Sequence, residues 1–157
     1  MYGITSLEPN HKESTNEYEA IALQRAYKFA TGKYKGHDGY SIGIDALDVW
    51  ISHLGQKEVK YYPYHGNSYL GICTQEAFEL SQKFLLKKAS SLKNTDLEKA
   101  GTAYGEAYKK MVEFTAIFPE SFEGAMPEEK RKQGIAILSI VKENVSEAIN
   151  NLEQAVN

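Results

Sequence analysis

Apolar positions along this chain recur mostly at intervals of three and four residues, the signature of helices that each bury one face. Ala22, Ala26, Phe29 and Ala30 mark the first such segment. "STNE" opens it as a capping box, with Ser14 as cap and Glu17 reaching back to it, and Gly32 closes it. A second helix is predicted over about 42–54, with a stripe of Ile44, Leu47, Trp50 or Ile51, and Leu54; Gly55 ends it. A third, over about 67–89, carries Leu70, Cys73, Ala77, Leu80 and Phe84, the pattern of a buried seam. The fourth opens on a second capping box, Thr95 to Glu98. Its stripe is Leu97, Ala100, Tyr104, Ala107 or Tyr108, Met111, Phe114 and Phe118, and Pro119 stops it. The fifth starts at Pro127, with Glu128 and Glu129 at the favourable end of the helix dipole. Gly134, Leu138, Val141, Val145, Ile149 and Leu152 form its stripe.

Gly101 and Gly105 lie one turn apart on the fourth helix. Each costs about 1 kcal/mol relative to Ala in a helix interior, so a close neighbour is expected on that face. A second copy of the chain is one candidate. Residues 1–12, with "YGITSLEP", alternate weakly and are read as an extended arm or short edge strand. The expectation is one all-α domain over 1–157, with about five helices. The three long ones form an up-down bundle, and the two shorter N-terminal ones pack at one end.

Length and composition narrow the function classes. A chain of 157 residues with 42% hydrophobic and 25% charged residues suits one soluble globular domain. Its net charge of -3 argues against nucleic acid as a partner, because phosphate binding needs clustered surplus Lys and Arg. One cysteine excludes an internal disulfide and a cysteine-based zinc site. No apolar run reaches the roughly 18 residues of a membrane helix, so no membrane partner is expected. The first residues lack a basic start followed by an apolar run, so a cytoplasmic location is expected.

Candidate chemistry is sparse. There is no Glu-x-x-His pair, no Gly-x-Ser-x-Gly, no phosphate loop and no Rossmann glycine pattern. His11, His37, His53 and His65 share no helix face, and neither metal nor cofactor is expected. Cys73 falls about two turns inside the third helix, on its seam, where a thiol acts as a small hydrophobe. The richest stretches are the loops "KYKGHDGYS" and "YYPYHGNSY" before the second and third helices. Tyr40, Asp45, Trp50, Tyr64, His65, Asn67 and Tyr69 would offer rings to stack on and polar tips to orient a ligand. The two loops need not meet if these helices are antiparallel neighbours. The plainer reading is that the tyrosines close the bundle end with their hydroxyls in water. The leading expectation is a non-catalytic module that binds a small molecule or protein partner near these loops. Two alternatives stand beside it: an enzyme with His65 as base and Asp45 or Cys73 assisting, and a structural protein that forms homodimers.

The order "ALQRAYKFATG", "GYSIGIDALDVWISHL", "HGNSYLGICTQEAFELSQKFL", "YGEAYKKMVEFTAIFP" resembles the helical portion of bacterial proteins related to the butirosin-type acyltransferase and papain-like peptidase family. Gly39, Tyr40, Gly43, Ala46, Trp50, Asn67 and Tyr69 carry the likeness. In such proteins the cysteine-containing catalytic portion lies N-terminal to this region. The resemblance therefore implies an accessory helical module, and it transfers no catalytic role to any residue here.

Overall fold

Caps and glycines set where the helices begin and end. The computed structural model describes residues 16–33, 40–56, 60–61, 66–118 and 124–156. Among them are five helices: α1 (Asn16–Ala30), α2 (Ile44–Gly55), α3 (Asn67–Leu92), α4 (Thr95–Ile117) and α5 (Glu128–Val156). The fold is all-α, as the periodicity predicts. The expected arm and the Ser14 cap lie outside the described residues. So do Tyr64 and His65.

The N-cap of α4 is Asn94, not the predicted Thr95. Its side-chain oxygen accepts from the backbone N–H of Asp96 at 2.9 Å and of Leu97 at 3.0 Å. An amide oxygen one residue earlier thus fills the role expected of the Thr95 hydroxyl. Lys93 precedes it in the left-handed region at φ 49°, which makes the α3–α4 turn tight. Two segments expected to be irregular meet as a short antiparallel ladder. Strand β1 (Lys60–Tyr61) pairs with β2 (Gly124–Ala125), Lys60 opposite Ala125 and Tyr61 opposite Gly124.

Helices α3, α4 and α5 pack in succession, α3 on α4 and α4 on α5. The glycines of α4 find their neighbour inside the chain. A Cβ on Gly101 would stand 3.0 Å from carbons of Leu86, and one on Gly105 would stand 2.5 Å from the Gln82 amide nitrogen. The face reserved for a second copy is therefore occupied by α3.

Helices α1 and α2 do not stack at one end of the bundle. They follow one another along α5. The Arg131 guanidinium donates to the carbonyls of Leu54 and Gln56, Lys142 pairs with Asp48, and the Tyr27 hydroxyl donates to Glu153. Descending α5 from residue 153 to 131 thus ascends α1 and then α2. The break between them sits at Gly43, with φ 61° and ψ -140°. A Cβ there would fall 2.3 Å from the Ala30 carbonyl oxygen, so glycine lets the end of α1 abut the start of α2.

The core runs along α4 and α5. Leu54, Leu97, Met111, Phe114, Leu138, Val141 and Leu152 are sealed from solvent. Each large apolar side chain so buried contributes about 1.5–3 kcal/mol. Trp50 sets its edge against Phe114, with ring centroids 4.9 Å apart. The buried stripe of α1 is Leu23 and Ala30, with Tyr27 packed against the core, rather than the predicted Ala22 and Ala26.

Candidate functional site

The predicted seam of α3 is not buried in the core. Cys73, Ala77 and Leu80 are exposed, Leu80 at 66%, and Leu70 and Phe84 are also partly in solvent. The residues of α3 that are buried are Asn67, Ser68, Gly71, Leu85 and Ala89. Of these, Gly71 packs on α4 and Leu85 reaches the cleft, while Gln82 and Leu86 meet the glycines of α4. Gly71 illustrates the fit: a Cβ there would lie 3.1 Å from Thr115 and 3.2 Å from Phe114. The predicted apolar stripe turns away from α4.

That turned-away stripe lines a cleft. α3 makes its broad contact with α4, while α1 and α2 make theirs with α5. Between the two groups lies a cavity of about 480 Å³, open to solvent. Leu70, Cys73, Ala77, Phe78 and Phe84 form its α3 wall. Phe29 and Ala30 of α1, and Ala46, Leu47 and Trp50 of α2, form the opposite wall. Tyr104, Val145 and Leu152 form the floor. None of the described lining residues carries a charge. Two of the lining hydroxyls are engaged within α3. Thr74 donates to the Leu70 carbonyl at 2.7 Å and Ser81 to the Ala77 carbonyl at 2.8 Å.

The cleft is bridged near both ends. At one, the Trp50 indole N–H donates to the Asn67 side-chain oxygen at 2.6 Å, tying α2 to α3. At the other, Lys88 of α3 pairs with Glu19 of α1. Bridges at both ends bound a pocket; they do not leave an open-ended trough.

The expected site residues divide three ways. Trp50 and Asn67 meet directly, and Trp50 lines the cleft. Both are buried, and the Trp50 N–H and the Asn67 side-chain oxygen are used on each other. Tyr40, Asp45 and Tyr69 are exposed and lie outside the cleft lining. Tyr69 hydrogen bonds to Cys73 one turn on, and this bond, with charge repulsion from the thiol, holds its phenol above the usual range. Tyr64 and His65 lie outside the described residues. Among those described, no cluster of His, Cys, Asp and Glu has the arrangement of a metal site.

Comparison with protein-family models, curated proteins and solved structures returns no match. The resemblance to an acyltransferase-related module thus rests on the sequence motifs alone.

Sequence reasoning missed Phe78 and Tyr104 as cleft residues. The available signal was that α3 is apolar over more than one face, Phe78 lying off the Leu70–Cys73–Ala77 line. A helix of this kind needs two neighbours, and only the positions of α1 and α2 show that one of them stands apart. No described helix is long and apolar enough to cross a membrane, so the apolar surface is not that of a spanning segment.

Proposed function

We propose that this chain is a non-catalytic helical module that binds a small apolar molecule in the cleft between α3 and the α1–α2 pair. The observation that carries the reading is an uncharged, hydrocarbon-lined cavity of about 480 Å³ bridged near both ends. Small-molecule sites are typically clefts of roughly 300–1,000 Å³, mostly apolar, with few polar groups. A docked helix is about 10 Å wide and needs an open-ended groove, which the two bridges deny it. An accessory role beside a separate catalytic portion, as the family resemblance implies, is compatible with such a module.

The sole tryptophan and the sole cysteine both line the cleft, so occupancy has two internal reporters. The test is a thermal-shift screen of neutral apolar compounds, repeated with Ala77→Phe, which fills the cavity from an exposed position. A ligand at about 100 times its Kd is expected to add about 2.7 kcal/mol of stability. It should also change Trp50 emission and slow alkylation of Cys73, and Ala77→Phe should abolish all three effects. Shifts that survive Ala77→Phe would place the ligand elsewhere.

A second reading, a protein partner or a second copy, is favoured by Phe29 on the cleft wall and Leu80 on α3 outside the lining, which are 53% and 66% exposed. Light scattering at high concentration, with Leu80→Glu as comparison, separates it. A dimer dispersed by Leu80→Glu would support this reading over the first.

A further inference from the structure

The cleft has a length and a buried, uncommitted polar group, and together these narrow its ligand. On α3 its lining runs from Leu70 to Leu85, about 20 Å at the rise of an α-helix. No described charged side chain lines it, so nothing inside would compensate a buried charge.

Tyr104 is the uncommitted group. It rises from α4 into the cleft floor and is only 7% exposed. Its ring packs against Phe78, midway between Leu70 and Leu85, with centroids 5.7 Å apart. The Tyr104 hydroxyl has no hydrogen-bond partner among the described residues. No sealed side-chain polar atom among them lacks a partner either. The hydroxyl is therefore not fully sealed, on a residue that lines the cleft. Burial pushes its pKa up to about 12, so it remains a donor across the neutral range. A buried donor facing hydrocarbon rewards an acceptor and penalises its absence.

Resting on the reading of the cleft as a ligand site, we propose that it takes an elongated apolar molecule with an uncharged oxygen near its middle, and that this oxygen accepts a hydrogen bond from Tyr104. Ketones, secondary alcohols, ethers and esters of long-chain compounds share this chemistry. Trp50 cannot supply the donor, because its N–H is held by Asn67.

The probes are 7-tridecanone and tridecane, chains of equal length with and without the central oxygen. Binding is read from Trp50 emission and from protection of Cys73 against alkylation, for the natural chain and Tyr104→Phe. The expected result is that Tyr104→Phe weakens the ketone by about twofold to tenfold, the range of one hydrogen bond, and leaves tridecane unchanged. The carbonyl stretch of ketone bound to the natural chain should fall below its value in hydrocarbon solvent, a readout that needs no variant. If both probes bind, Tyr104→Phe changes neither, and the stretch keeps its hydrocarbon value, the Tyr104 assignment is overturned while the cleft remains a ligand site. If neither probe alters Trp50 or Cys73, the cleft reading fails with it.

Discussion

The Trp50–Asn67 hydrogen bond is buried and joins two helices that otherwise touch little. Asn67→Ala would leave the indole N–H without a partner, at a cost of about 1–3 kcal/mol. Urea denaturation should show the loss, with a red shift of Trp50 emission as water reaches the cleft end. Cys73 behaves differently. A core thiol replaced by a hydroxyl would lose a comparable amount, but Cys73 is exposed. Cys73→Ser is expected to change stability by no more than about 0.5 kcal/mol, and the natural thiol should react readily in the folded state. Tyr104 gives a pH dependence. Its folded pKa of about 12 lies above the unfolded value near 10, so folding favours the protonated phenol. Its contribution is fully present below pH 10. It is lost as pH rises from about 10 to about 12, by up to roughly 2–3 kcal/mol, because the unfolded chain then releases its proton first. Chemical denaturation of the natural chain and Tyr104→Phe across pH 8–12 should show a steeper alkaline decline for the natural chain.

Two glycines separate backbone need from side-chain space at the scale of the elements. At Gly43 the obstacle is backbone: the Ala30 and Phe29 carbonyl oxygens would lie 2.3 and 2.4 Å from a Cβ, and φ is positive. Gly43→Ala should cost more than about 2 kcal/mol, through strain and through separation of α1 from α2. At Gly105 the obstacle is the end of the flexible Gln82 side chain. Gly105→Ala gains up to about 1 kcal/mol of helix propensity, which offsets moving Gln82, so stability should stay within about 1 kcal/mol of the natural chain. Melting curves of the two variants would show the contrast. The same scale explains the reading of α3. Its spacing of three and four correctly marks a helix with an apolar face. It does not say which neighbour that face meets, because Leu70, Cys73, Ala77, Leu80 and Phe84 keep the same spacing beside a packed helix or an open cleft. The stripes of α2, α4 and α5 were legible because each meets a packed partner: Leu47, Trp50 and Leu54, the α4 stripe from Leu97 to Phe118, and Leu138, Val141, Val145 and Leu152 are buried, with Ile149 half-buried.

For the whole molecule, the arrangement of helix groups decides what the chain can do. α1 and α2 lean on α5, α3 leans on α4, and the gap between them is the candidate site. Tyr40, Asp45 and Tyr69, among the residues richest in candidate chemistry in the sequence, sit on the exterior of this arrangement, and of the five described candidates only Trp50 lines the gap. Local order was written in the chain: five helices, their approximate limits, and the need for a close neighbour at Gly101 and Gly105. Those features depend on periodicity, capping and backbone freedom, which act over a few residues. The cleft, its uncharged lining and the uncommitted Tyr104 hydroxyl belong to the tertiary structure alone. They arise where α3 and the α1–α2 pair fail to close on each other, a relation between residues some thirty to a hundred positions apart that no local pattern records.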